Sequence, residues 1–286
     1  MLLEARELAR GLQLVRPQAP APVVHKLTPD GRSWLLHASG WWPAPAHELS
    51  ELWASRPSKQ TYGVIFGRKV AFPRRTRTYG ADYTYTGQTQ CAEALSSAPP
   101  MLRHVIAQLQ AVPMLSAHNA ALLNWYDAAA GDYMGAHSDD ERELLLDSPI
   151  ISLSWCTRGH EARPYPCHHH PAPPFSPHSF RPRPQRRFRL VPRKGVEDSL
   201  TPAWSDPKMP GVLRLRNGCL VVMGGSCQQT HKHELMKVTR QLSESVGRRI
   251  NLTLRAFARA GDRDATAAAE AHATAMRKRP RDARVH

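Results

Sequence analysis

His137-Ser138-Asp139 sets an imidazole and a carboxylate two residues apart. Side chains of an extended segment alternate with period two, so both tips fall on one side and can grip adjacent positions of one metal ion. A second imidazole stands far downstream, at His231 or His233, each in a strand-like run after Gly224-Gly225. Two imidazoles and one carboxylate on one face of a metal leave the opposite positions open, which is the donor set of non-haem iron(II) chemistry. Iron(II), manganese(II) and zinc(II) all accept these ligands, so the donors alone do not choose the metal. A third segment, Arg249-Ile250-Asn251-Leu252-Thr253-Leu254-Arg255, carries two guanidinium groups near a strand. Such groups suit a cosubstrate that bears carboxylates. Most lone His-x-Asp pairs are solvated loop residues, and His231 and His233 flank Lys232 and precede Glu234 as surface residues would. The order of all three segments carries the reading.

Other metal-like clusters are weaker. Cys167-His168-His169-His170 packs its donors into adjacent positions of a loop, from which one tetrahedral cage is hard to build. Cys219, Cys227 and His231 match no paired Cys-x-x-Cys framework.

The elements that must position these groups are mostly strands. Residues 1–60 read as a Pro-containing leader plus one amphipathic helix, His47 to Trp53. Gly63 to Gly67, Lys69 to Pro73 and Tyr83 to Gly87 have strand character. Leu102, Val105, Ile106 and Leu109 are spaced as one buried face of a helix over 100–112. Leu122 to Tyr126 predicts a strand leading into the Gly135-Ala136-His137 loop, and Ile150 to Trp155 predicts another. Residues 157 to about 186 are dense in Pro and His, show no periodicity and are expected to be a disordered insertion. After Phe188-Arg189-Leu190-Val191-Pro192, a hairpin is expected around Asn217-Gly218, and Ile250 to Phe257 alternates. Many short strands, few helices and an Asn-Gly turn predict a mainly β fold with flanking helices, a jelly roll or double-stranded β-helix. Residues 61–258 form that domain, and residues 259–286 form an Ala-rich, then basic tail.

Bulk properties narrow the partners. The chain has 286 residues, enough for one sizeable core. Lys and Arg number 39 against 24 acidic residues, a formal net charge of +15, which favours polyanions. Five cysteines without regular spacing argue against a disulfide framework. No run approaches the roughly 18 apolar residues that span a membrane, and Met1 to Arg16 does not resemble a secretory signal. A monomer in a reducing compartment is expected, nuclear if Arg277-Lys278-Arg279-Pro280-Arg281 is an address, otherwise cytoplasmic.

Taken together, these segments resemble the AlkB family of Fe(II)- and 2-oxoglutarate-dependent dioxygenases, over about residues 62–156 and 186–257. The motifs are Asn124-Trp125-Tyr126, His137-Ser138-Asp139-Asp140-Glu141 and Arg249-x-Asn251-Leu252-Thr253-x-Arg255. Similarity is greatest to the DNA-repair members, including the one acting on double strands. The resemblance implies iron bound by His137, Asp139 and His233, with 2-oxoglutarate and O2 as cosubstrates. It prefers His233 over His231 because His233 lies ten positions after Met223. Asn124, Tyr126, Arg249 and Arg255 would bind 2-oxoglutarate, with Arg255 on its distal carboxylate. Tyr83 and Tyr85 would line a damaged-base pocket, Asp140 and Glu141 would sit beside the base, and Phe66 would fill the gap left by a flipped base. Arg74, Arg75 and Arg77 would neutralise phosphates. The implied activity is oxidative demethylation of 1-methyladenine or 3-methylcytosine in DNA, duplex favoured. RNA demethylation, a protein-directed oxygenase of the same fold and a non-catalytic nucleic-acid-binding module are the alternatives. Leu254 stands where a Phe is usual, and the His/Pro-rich insertion interrupts what is otherwise a compact turn.

Overall fold

A computed structural model describes residues 2–65, 67–85, 88–139, 141, 143–145, 148–156, 185–199, 209 and 211–258. Residues 2–60 hold more than a leader and one helix. Helix α1 (Leu2–Val15) buries Ala5, Leu8 and Leu12, a stripe at helical spacing that the sequence reading missed. Strands β1 (Val23–Lys26) and β2 (Ser33–Ala38) then pair with each other. The expected amphipathic helix is α2 (Ala46–Ala54), which buries Leu49, Leu52 and Trp53.

Two short ribbons follow, β3 (Tyr62–Ile65) with β4 (Arg68–Ala71), and β6 (Tyr83–Tyr85) with β7 (Gln88–Gln90). Between them runs β5 (Arg75–Tyr79). Helix α3 (Pro100–Gln110) buries the four apolar residues expected of it, and Pro100 sits in its first turn, where a missing N–H costs nothing. The remaining strands are β8 (Ala120–Asp127), β9 (Met134–His137), β10 (Ile150–Cys156), β11 (Arg186–Pro192), β12 (Val212–Leu215), β13 (Cys219–Gly225), β14 (His231–Leu235) and β15 (Arg248–Arg255). Gly218 takes φ +75° in the turn between β12 and β13, as an Asn-Gly turn requires. Arg186 already belongs to β11, so the expected insertion ends earlier than residue 186. The rest of that insertion, residues 157–184, and the tail from 259 onward lie outside the described residues.

The strands form two antiparallel sheets, ordered β1-β2-β13-β10-β15-β8-β5 and β12-β11-β14-β9, the double-stranded β-helix expected. Period-two alternation divides the larger sheet. Ala121, Leu123 and Trp125 of β8, with Ile250, Leu252 and Leu254 of β15, face a core shared with α1 and α3. Fully burying each Leu or Ile there stabilises the fold by about 1.5–3 kcal/mol. The N-terminal region is tied into that core, because Trp125 Nε1 donates to the Leu52 carbonyl and Trp155 Nε1 to the Trp42 carbonyl, both at 2.9 Å. The opposite face of the larger sheet packs on the smaller sheet through Leu35, Tyr126, Val221 and Met223 against Phe188, Leu190, Leu213 and Leu235. That inner space also receives the polar residues of β8 and β15. Among the described residues no helix is long and apolar enough to cross a membrane.

Candidate functional site

Strands β9 and β14 are neighbours, and His137 stands directly across from His233. Their rings lie 4.2 Å apart, tilted by 53°. Asp139, just past the end of β9, places Oδ1 3.6 Å from His137 Nε2 and 4.0 Å from His233 Nε2. One donor atom from each residue lies within 4.8 Å of the others. His231 is elsewhere: its Nε2 is 3.7 Å from Asp198 Oδ1, and its Nδ1 shares a hydrogen bond with Thr230 Oγ1 at 2.8 Å. Of the two downstream histidines, His233 is the one brought to the His-x-Asp pair.

This set fits a divalent metal. Asp139 is 2% exposed, yet its Oδ1 accepts no hydrogen bond from the described residues. A buried carboxylate oxygen without a donor is costly, and a cation among the three side chains removes that cost. Burial, with the neighbouring His137, pushes the His233 imidazole down to about 3, and burial lowers His137 as well. Both rings are therefore neutral near pH 7 and keep a lone pair for a metal. His137 Nδ1 lies 2.9 Å from the Gly135 carbonyl, and donating there leaves Nε2 facing inward. Burial pushes the Asp139 carboxyl up, but the Arg255 guanidinium and the two imidazoles outweigh it and hold Asp139 below the usual carboxylate range.

Several supporting residues were not anticipated from sequence. Gln228 Oε1 accepts the Asp139 N–H at 2.9 Å. Ser138 Oγ donates to the His231 carbonyl at 2.9 Å and accepts from Arg193 Nη2 at 2.9 Å. These contacts hold the turn carrying Asp139 against the segment before His233. Gln228 and Arg193 lie about 90 and 55 positions from it in sequence, so no local spacing could have exposed them.

The inner face of β15 presents Arg249, Asn251, Thr253 and Arg255 to the same cleft, beside Asn124 and Tyr126 of β8 and Ser152 of β10. Asn251 is paired in register with Asn124, and Arg249 with Tyr126. Arg249 Nη2 donates to Ser154 Oγ at 2.8 Å and to Asn251 Oδ1 at 2.5 Å, and its guanidinium lies 5.1 Å from the Tyr126 ring centre. At the other end of the strand, Arg255 Nη2 is 3.0 Å from Asp139 Oδ2. Six residues of strand separate the two arginines by about 20 Å of backbone. Arg255 is thus at the triad end of the cleft, and Arg249 is at the far end.

The substrate-side residues divide. Arg74 is 3% exposed and lines the cleft, with Nη1 against Met134 Sδ and its guanidinium over the Phe72 ring. The guanidinium of Arg74 therefore faces the cleft rather than the outer surface. Arg75 and Arg77 sit on the more exposed face of β5, an edge strand, and Arg77 Nε is 3.3 Å from Glu93 Oε1. Glu141 is partly buried, two residues after Asp139. Phe66 and Asp140 lie outside the described residues, as do the side chains of Tyr83 and Tyr85 on β6.

The model of the 2OG-Fe(II) oxygenase superfamily matches residues 48–255. Over 96 residues the chain is 38% identical to the DNA oxidative demethylase ALKBH2 of Bos taurus, a match covering 32% of each chain. It is 36% identical over 96 residues to the enzyme of the same name from Homo sapiens, covering 32% of this chain and 34% of that one. The matched stretch thus spans about a third of the length of these relatives. A crystal structure of a Pseudomonas putida prolyl-4-hydroxylase aligns with TM-score 0.36 at 13% identity, covering 88% of this chain and 99% of that one.

Proposed function

Because the chain belongs to the 2OG-Fe(II) oxygenase superfamily, we propose that it removes N-alkyl groups oxidatively from DNA bases, with 1-methyladenine and 3-methylcytosine as the lesion type. The observation that carries this reading is the 36–38% identity over 96 residues to proteins named DNA oxidative demethylases. The net charge of +15 supports a polyanionic substrate.

His137, Asp139 and His233 would hold an iron ion, which when bound would supply oxidation of a C–H bond with 2-oxoglutarate and O2 as cosubstrates. Arg249 binds the distal carboxylate of 2-oxoglutarate, with Asn124 and Tyr126 beside it, and Arg255 serves the end near the metal. Arg255 also keeps Asp139 ionised, so the ligand does not compete with a proton. Gln228 and Ser138 fix the turn that carries Asp139. Hydroxylation of an N-methyl carbon gives a hemiaminal on the substrate, which breaks its C–N bond to release formaldehyde and the repaired base. A base in a duplex cannot reach the cleft, so it is extruded. Tyr83 and Tyr85 stack on it, a contact of about 1–3 kcal/mol per base. Phe66 fills the gap in the duplex, Arg74 and the Asp140-Glu141 carboxylates meet the extruded nucleotide, and Arg75 contacts the backbone.

Incubation with duplex DNA, single-stranded DNA and RNA, each carrying one 1-methyladenine, tests the reading. Digestion to nucleosides should reveal restored 2′-deoxyadenosine from the DNA substrates, fastest with the duplex. Restoration in RNA alone, or in none of the three, would contradict it.

A further inference from the structure

Two guanidinium groups gather at the end of the inter-sheet space away from the triad. Arg249 lies six residues before Arg255 on β15. Arg186 opens β11, on the face it shares with Phe188 and Leu190. Leu190 is paired with His233, so Arg186 stands four residues, about 13 Å, beyond the level of the triad. Its side chain is 1% exposed. Nη1 donates to the Asp132 carbonyl at 2.8 Å, while Nε and Nη2 have no hydrogen-bond partner among the described residues. Burial first, and then the charge of Arg249, push the Arg186 guanidinium down to about 10, and the Cys156 thiol, paired across from Arg249 on β10, feels both charges. Among the described residues neither guanidinium forms an ion pair with a carboxylate of the chain. Asp132 attracts Arg186, but its Oδ2 accepts the Asp127 N–H. Two buried like charges are costly, the pull of Asp132 on Arg186 is the weakest of those acting on it, and an anion at that end relieves both guanidiniums at once.

Resting on the reading of the cleft as a 2-oxoglutarate site, we infer that Arg186 is a positioning residue for the distal carboxylate. It stands behind Arg249 and supplies a second positive charge to that subsite. Arg249 makes the contact; Arg186 deepens the potential in which the carboxylate sits. The subsite therefore selects a dicarboxylate over a monocarboxylic 2-oxo acid more steeply than one guanidinium would.

Calorimetric titration of the full chain loaded with Mn(II) tests this without turnover. Arg186→Gln keeps a donor for the Asp132 carbonyl and removes the charge. It should weaken 2-oxoglutarate binding by about tenfold while leaving 2-oxopentanoate, which has a methyl in place of the distal carboxylate, within about twofold. Arg186→Lys should recover most of the lost affinity. A merely structural role would weaken both acids alike, and that result, or no change in either, overturns the inference. Native protein that binds neither acid would instead remove the cosubstrate reading on which the inference rests. Should Arg186→Gln fail to fold, Arg249→Gln decides: with Arg186 intact it should still prefer 2-oxoglutarate by about fivefold, and no remaining preference overturns the inference.

Discussion

Replacing Arg255 by Met removes a cation 3.0 Å from Asp139 Oδ2, where the two side chains are 4% and 2% exposed. Two unit charges at that separation attract by roughly 5–6 kcal/mol at an effective dielectric near 20. The net loss is smaller, because the cost of burying Arg255 disappears with it. Removing one partner of a buried pair costs about 3–5 kcal/mol, mostly from the charge left behind. A divalent metal at the triad supplies that missing counter-charge, so the loss should be concentrated in the metal-free protein. Urea unfolding of Arg255→Met in chelator should show the drop, and Mn(II) should restore more stability to the variant than it adds to the native protein. The 2-oxoglutarate concentration for half-maximal turnover should also rise, by about tenfold or more, because a charge-assisted carboxylate contact is lost. Equal destabilisation with and without Mn(II) would mean that Arg255 acts only through packing. An unchanged half-saturation value would remove it from the cosubstrate end of the cleft.

Three further outcomes are expected. Burial, reinforced by His25, lowers the His37 imidazole from 6.5 to about 4, so the unfolded chain takes up that proton first. The stability His37 contributes is present above about pH 6.5 and is lost as pH falls towards 4; unfolding of His37→Gln should have a pH slope shallower by at most about 1.4 kcal/mol per pH unit in that window, and an unchanged slope would refute the assignment. A Cβ at Gly224 would stand 2.0 Å from the Trp34 ring, so Gly224→Ala should lose about 1–3 kcal/mol or more in a chemical melt, and native-like stability would show that the ring moves freely. Phe66→Ala should slow repair of a lesion in duplex DNA much more than in a single strand, and equal slowing would rule out an intercalating role.

The legible parts of the sequence were those in which chemistry and periodicity coincide. His137 and Asp139 share a face by simple alternation, and Arg249 to Arg255 alternates so cleanly that its inner face is polar and its outer face is Ile250, Leu252 and Leu254. Strand β2 was missed because Ser33-Trp34-Leu35-Leu36-His37-Ala38 is buried on both faces and shows no alternation. The burial of Arg74 is not legible in sequence, because an Arg-Arg pair after a proline looks like solvated charge, whereas the chain turns its guanidinium into the cleft. Arg186 was hidden at the edge of a Pro- and His-rich segment, and only the pairing of β11 with β12 and β14 shows that it opens a buried strand. The ends of Arg249 and Arg255 could not be ranked by spacing alone, because which arginine meets Asp139 depends on how β15 lies against β9 and β14.

We propose a coupling of 2-oxoglutarate consumption to repair of a methylated base, through a metal held by His137, Asp139 and His233. Its most direct measurement is the ratio of succinate formed to base restored, on 1-methyladenine DNA with iron(II), for the native chain, His233→Ala and His231→Ala. A ratio of about one is expected for the native chain. Both products should vanish in His233→Ala, which remains folded, and both should persist in His231→Ala, whose imidazole faces Asp198. Activity retained without His233 and lost without His231, or repair without succinate, would contradict it.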